Sequence, residues 1–173
     1  KVLNSLQEII KLNTDASTKD IVTANGAGRN ANQIAISRIL KSYAFYALTD
    51  VFGNVPYHSY GSNDPDFEAL QQNPDKITPQ YASQEKIYAD ILKELKEAGD
   101  TLLKYSTEKT FGNSDIIYAG DNAKWAKFAN SLRLRFATRI KLKYPALYQS
   151  HFTDAIAKGV FTSNAENAIY KYS

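Results

Sequence analysis

The sequence contains no cysteine, no methionine, only two histidines and a single tryptophan among its 173 residues. Without cysteine the chain can form neither a disulfide framework nor a thiolate metal site. His58 and His151 lie far apart and outside any H-E-x-x-H arrangement, so a hydrolytic zinc site lacks its ligand set. Both rings read as solvated, one in a loop and one on a helix surface. No G-x-S-x-G occurs, which removes the usual turn for a serine nucleophile. No apolar run approaches the length that spans a bilayer. Without methionine, Lys1 is not a translation start. The expectation is therefore a piece of a longer chain, with any signal peptide or lipid-attachment cysteine upstream of it.

The formal charge of +3 is too small to mark a nucleic-acid binder, which concentrates far more basic charge on one face. Hydrophobic residues at 43% and charged residues at 23% are ordinary for a folded domain. A single helical domain over 1–173 is expected, of a size that buries roughly 70% of its unfolded surface.

Helical spacing runs through most of the chain. Leu3, Leu6, Ile9 and Ile10 fall on one face of residues 2–12. A second helix is expected from Ala31 to Asp50, where Ile36, Leu40, Tyr43, Ala44, Ala47 and Val51 recur at three and four. Phe45, Tyr46 and Leu48 add bulk on its other faces, so it should be buried on most sides. Gly53 and Pro56 stop it. A third helix runs from near Ser83 to Tyr105 on a stripe of Ile87, Ile91, Leu95, Ala98 and Leu102, with Glu94, Lys96 and Glu97 on its wet side. Asp121 can cap a fourth, whose stripe is Trp125, Phe128, Leu132, Phe136 and Ile140. Pro145 suits the first turn of a fifth, faced by Tyr148, Phe152 and Ile156 and stopped at Gly159. Residues 160–173 read as loop or a short strand. Long loops are expected at about 13–30, 54–82 and 106–120, and the second holds four of the five prolines. Loops of that length in a compact domain are functional or disordered, and its aromatic residues favour order. The expected fold is all-α: antiparallel helix pairs, stacked as in tetratricopeptide-like arrays, although no clean sequence repeat is present.

Few side chains group into a recognisable chemistry. The run Gly26-Ala27-Gly28-Arg29-Asn30-Ala31 matches G-x-G-x-x-A, but a dinucleotide site needs a buried strand ahead of it, and only Ile21-Val22-Thr23-Ala24 is available. The run reads as a turn into the second helix. Asp64, Asp66 and Glu68 gather three carboxylates in one loop, where a solvated acidic loop, a calcium or sugar-hydroxyl contact, and a glycosidase pair compete. Sequence neighbours do not face one another across a sugar, so no catalytic residue is assigned. The basic side chains of the fourth helix, Lys124, Lys127, Arg133, Arg135, Arg139, Lys141 and Lys143, are spread around its circumference. They read as solvated faces and helix-to-helix ion pairs, and no nucleic-acid partner is expected. Twelve tyrosines are a high count, and Tyr57, Tyr60, Tyr81, Tyr105 and Tyr118 lie in or beside loops. A tyrosine offers a stacking face and a hydroxyl, as a sugar offers C–H faces and hydroxyl edges.

At Ala44-Phe45-Tyr46-Ala47-Leu48-Thr49-Asp50-Val51-Phe52-Gly53-Asn54-Val55-Pro56-Tyr57 the chain resembles the SusD/RagB family of outer-membrane nutrient-binding lipoproteins of Bacteroidetes, whose buried helix ends in T-D-x-[FW]-G-D-[IV]-P-Y. Three further segments are similar in the same order. Gln80-Tyr81-Ala82-Ser83-Gln84-Glu85-Lys86-Ile87-Tyr88 resembles P-x-Y-D-x-Q-x-x-I-Y. Ile116-Ile117-Tyr118-Ala119-Gly120-Asp121-Asn122-Ala123-Lys124-Trp125 resembles D-x-x-Y-x-G-D-x-x-K-W. Phe128-Ala129-Asn130-Ser131-Leu132-Arg133-Leu134-Arg135 resembles F-x-N-S-L-[RK]-x-R. Asn54 and Ala82 depart from the pattern, standing where the family commonly has aspartate.

The resemblance implies a partial SusD-like fold, the N-terminal helical portion of the family's chain. It implies a lipid anchor to the outer membrane, the cell surface as location, and a SusC-like TonB-dependent transporter as partner. It also implies an oligosaccharide or another nutrient as ligand and no enzymatic activity. A carbohydrate-active enzyme domain and a purely protein-binding helical scaffold are the alternatives. No cofactor is expected and no metal site is assigned; calcium is conceivable in the acidic loop without being indicated. Loop position and chemistry select Tyr57, His58, Tyr60, Asp64, Asp66 and Asn25 as candidate ligand contacts, and Gly53, Pro56 and Trp125 as structural.

Overall fold

Apolar residues recurring at helical spacing set where the helices form, and local caps and glycines mark some of their ends. The computed structural model describes residues 1–71 and 78–170. Among them α1 is Val2–Thr14, α2 Lys19–Val22, α3 Asn30–Phe52, α4 Gln84–Lys104, α5 Asn122–Ile140 and α6 Pro145–Lys158. The described residues contain no strand, only isolated bridges between Val55 and Ala82 and between Lys109 and Asp121. The protein is all-helical.

Two helices start at a side-chain cap, and that of Asp121 is the one expected. Ser83 accepts the Lys86 amide at 3.3 Å ahead of α4, and Asp121 accepts the Lys124 amide at 3.1 Å ahead of α5. Gly53, at φ 76°, supplies the left-handed turn after α3.

Each long helix packs antiparallel on the next, as the cross-helix bonds require. Gln7 of α1 meets Lys41 of α3, whereas Asn13 of α1 meets Gln33. Asp50 near the end of α3 meets Tyr88 near the start of α4, whereas Arg38 meets Glu94 and Glu97. Asn122 of α5 bonds the Tyr105 carbonyl at the far end of α4. Asn130 of α5 reaches the Gly159 carbonyl after α6, and Arg133 reaches Asp154. The order across the array is therefore α1, α3, α4, α5, α6.

Several expectations need correction. The stretch 13–30 is not an open loop but holds α2 and a wide turn, Thr23–Ala27. Its polar side chains close turns on themselves. Asp15 accepts the Ser17 amide at 2.8 Å, and Thr18 donates to the Leu12 carbonyl at 2.8 Å. On α3, wedged between α1 and α4, Phe45 and Tyr46 are core residues, while Tyr43, Ala47 and Val51 face solvent. Glu94 is not on a wet face; it is buried against Arg38. On α6 the buried position is Ala155, beside the Asp154 that reaches Arg133, and Ile156 is exposed. Residues 160–170 hold a short 3-10 turn, Asn164–Glu166, and no strand, with 171–173 outside the described residues. The basic side chains of α5 do make ion pairs across the array: Arg133 with Asp154 at 2.5 Å, Arg139 with Asp50 at 2.8 Å, and Lys127 with Glu166.

A candidate ligand cleft between α1 and the 58–71 loop

The loop that follows α3 is closed at its base. Ala82 donates its amide to the Val55 carbonyl at 3.0 Å, and the Gln84 amide donates to Asn54 Oδ1 at 3.0 Å. Asn54 thus helps cap α4 with its side-chain oxygen, a task that does not need the negative charge of the aspartate common in the family. Of the expected loop 54–82, residues 72–77 lie outside the described residues.

From Pro56 the chain doubles back along α3. Tyr57 enters the core at 1% exposure. Its ring meets Phe45 and Phe67 edge-on at 4.7 and 4.8 Å, and its hydroxyl donates to Asp90 at 2.8 Å. Burial first, then the neighbouring Asp90 charge, holds its pKa well above the ordinary value. Tyr57 therefore leaves the set of ligand contacts: a phenol so enclosed has no face for a sugar.

One residue on, His58 is half-buried and its Nδ1 lies 3.1 Å from the Lys41 ammonium. Burial, then Lys41, lowers the imidazole pKa to about 4, so the ring is neutral at physiological pH. The reading of His58 as solvated is corrected accordingly. The same holds for His151, half-buried and lowered to about 4 by burial and then by Arg133. Ser59 is buried beside Glu94, and the Tyr60 ring lies 4.7 Å from the Arg38 guanidinium. Loop residues 58 and 60 are thus pinned to α3 residues 41 and 38, two buried cations.

Those cations belong to one polar network beneath the loop. Arg38 donates two bonds of 2.9 Å to Glu94 and one of 2.5 Å to Glu97. Burial works against the guanidinium, yet Glu94 and Glu97 hold its pKa above the ordinary value. Lys41, 2% exposed, donates to Gln7 Oε1 at 2.9 Å, and burial lowers its pKa to about 8.

Above this network lies a cleft of about 370 Å³. Gln7, Lys11 and Thr14 of α1 form one wall, and His58, Tyr60 and Gln71 belong to the other. The size and mixed lining suit a small polar ligand or one or two units of a longer one. Of the six candidates the structure brings two, His58 and Tyr60, to this cleft.

The others go elsewhere. Asp64 borders a neighbouring hollow of about 300 Å³ between the loop and α4. Its carboxylate accepts the Asp66 amide at 3.0 Å and the Lys86 ammonium at 3.1 Å, and these bonds hold its pKa below the ordinary value. Asp66 takes the same ammonium at 2.7 Å. Two carboxylates sharing one lysine are a structural clamp between loop and α4, unlike an acid/base pair kept apart for catalysis. Among the described residues no group of three His, Cys, Asp or Glu side chains is arranged to hold a metal ion. Asn25 sits in the exposed turn 23–27, joined to the 106–120 loop by the Phe111 amide and the Ala27 carbonyl at 2.9 Å. That is the opposite end of α3 from Gly53, and with 23 residues the helix is about 35 Å long.

Gln7, Lys11 and Lys41 were not candidates, because nothing local in sequence ties α1 to the 58–71 loop. One signal was present: Lys41 and Arg38 lie in a helix read as buried on most sides, and buried cations need partners.

The whole chain, residues 1–173, matches the SusD-like family model described as starch-binding and associating with the outer membrane. No curated protein matches it. Among solved structures it is similar to a SusD homologue from Bacteroides uniformis ATCC 8492, at 31% identity and a TM-score of 0.73, covering 99% of this chain and 31% of that one. It is similar to a chitin-binding protein at 32% identity and a TM-score of 0.73, covering 96% and 31% of the two chains. It is also similar to a chitin-binding SusD homologue from Flavobacterium johnsoniae at 31% identity and a TM-score of 0.66, covering 91% and 30%. The chain spans less than a third of the length of these relatives. Its six described helices, the four ordered motifs, three at helix ends and one inside α5, and the family match over every residue carry one conclusion: the chain belongs to the SusD-like family, whose members are outer-membrane-associated binding proteins.

Proposed function

We propose that this protein is the cell-surface nutrient-binding component of an uptake system, with an oligosaccharide as its ligand and a SusC-like TonB-dependent β-barrel as its partner. A lipid anchor outside this chain would hold it at the outer membrane; among the described residues no helix is long and apolar enough to cross one. The observation that carries the reading is the cleft between α1 and the 58–71 loop, built on the scaffold that two chitin-binding relatives share. Its walls are held by buried ion pairs and hydrogen bonds, so little order remains to be imposed when a flexible sugar docks. Binding of this kind needs no cofactor.

A glycan array followed by titration calorimetry tests it. The expected result is saturable binding of at least one glycan with no change in the glycan afterwards. Turnover would move the protein to the carbohydrate-active enzymes. Silence on both counts would leave a scaffold that binds proteins alone.

A further inference from the structure

Lys41 is a fully enclosed ammonium whose bonds dictate what the cleft above it can offer. An ammonium carries only N–H donors, so whatever faces it must accept. The 2.9 Å bond to Gln7 Oε1 takes the amide oxygen of that side chain, leaving the NH₂ group free to donate. The 3.1 Å contact to His58 Nδ1 takes the lone pair of that ring nitrogen, and a neutral ring must then carry its proton on Nε2. Both residues line the cleft, one from each wall. Lys11 adds a third donor and Glu8 the one carboxylate of the described lining, while Ile10 and Leu70 supply apolar surface.

We infer that Lys41 is a positioning residue that turns Gln7 and His58 into a fixed pair of N–H donors, and that the cleft takes the carbonyl or carboxylate oxygen of a modified sugar. This inference rests on the proposed glycan-binding function and narrows it. Plain hydroxyls can donate or accept and gain little from donors fixed in advance. An acetamido carbonyl or a uronate carboxylate only accepts at its oxygens and gains from both. The protonation states agree with the geometry. Lys41 faces His58 from the loop, Glu94 and Asp90 from α4, and Arg38 from its own helix. With Lys41 at about 8 and His58 at about 4, the ammonium is charged and the ring neutral at pH 7.

The test compares three tetrasaccharides by calorimetry on the protein and on the Gln7→Leu, His58→Phe and Lys41→Met variants. Chitotetraose carries acetamido groups, tetragalacturonate carries carboxylates, and maltotetraose carries hydroxyls alone. The expected result is that one of the first two binds at least about tenfold tighter than maltotetraose, and which one it is identifies the source of the acceptor. Gln7→Leu and His58→Phe should each weaken that ligand about five- to tenfold, the loss of one hydrogen bond. Their effect on maltotetraose should stay below about twofold. Nitrogen-15 spectra of the His58 ring should show the Nε2–H tautomer at pH 7, and Lys41→Met should release that preference. Should Lys41→Met fail to fold, the two wall variants and the ring spectrum carry the test. Maltotetraose binding as tightly as the others would overturn the inference while leaving glycan binding intact. Absence of binding to all three would overturn the inference, and the glycan array then decides separately whether glycan binding itself survives. An Nδ1–H ring would overturn the inference whatever binds.

Discussion

Arg38 and Lys41 lie three residues apart on α3, and both are cations taken out of water. Arg38 is matched by the two oxygens of Glu94, which is itself 1% exposed. Breaking such a pair leaves one charge buried alone, at a cost of about 3–5 kcal/mol, whereas replacing both members with apolar groups of similar size costs far less. Arg38→Met should therefore lower unfolding stability by about that amount, and Arg38→Met with Glu94→Leu should recover most of it, as read from urea titrations. The two histidines set a pH dependence. Each folded pKa, about 4, lies below the ordinary 6.5, so the unfolded chain takes up protons first as pH falls. Their contribution is complete above pH 6.5 and is lost progressively between 6.5 and about 4. Midpoints measured across that window should slope downward with acid, and a His58→Asn, His151→Asn double variant should flatten the slope. At this scale the sequence was a partial guide. Residue chemistry picked out His58 and Tyr60, but it could not separate Tyr60, at the cleft, from Tyr57, whose hydroxyl has Asp90 as partner 33 residues downstream. The burial of Glu94 is illegible for the same reason: helical spacing describes one helix at a time, and its partner Arg38 sits on another.

Helix boundaries were far more legible, because caps and stops are local. Ser83, Asp121, Pro145, Gly53 and Gly159 each stand at or beside the helix end their chemistry suggests. The miss was α2, where a polar stretch turned out to fold on its own side chains instead of remaining open. Two glycines allow tests at this scale. Gly99 lies inside α4, and a methyl group there would meet the Ala129 side chain at 3.5 Å, an ordinary contact across the α4–α5 seam. Gly99→Ala should raise stability by about 0.5–1 kcal/mol by restricting the unfolded chain, and Gly99→Leu should lower it by forcing the helices apart. Gly28 is the opposite case. Its φ is +91°, and a methyl group would stand 2.6 Å from the Lys109 carbonyl oxygen. Gly28→Ala should cost more than about 1 kcal/mol and loosen the contact between the 23–27 turn and the 106–120 loop. Thermal melts of the three variants would order them Gly99→Ala, wild type, then the other two.

Across the whole molecule, an all-helical antiparallel array is legible in five helical segments joined by loops, and family membership in four ordered motifs, whereas the order of the helices across the array is not. The site was less so. Its walls come from α1 and from a loop that doubles back over α3, and their meeting depends on Lys41, which reaches Gln7 on one side and His58 on the other. Asp115 shows how an ordered loop is built elsewhere in the fold: it is buried, accepts the amides of Ile117, Tyr118 and Gly120, and takes the Trp125 indole N–H at 2.6 Å. Asp115→Ala should strip three amides and an indole of their acceptor at once, lowering stability by about 1–3 kcal/mol or more and exposing residues 115–120 to faster amide exchange. The cleft itself is tested most directly by mapping backbone amide shifts while a bound glycan is titrated in. The expected perturbations cluster at residues 7–14 and 58–71, with residues 23–27 and 106–117 silent; a map centred on the second pair of segments would place the ligand at the other end of α3 and contradict the account.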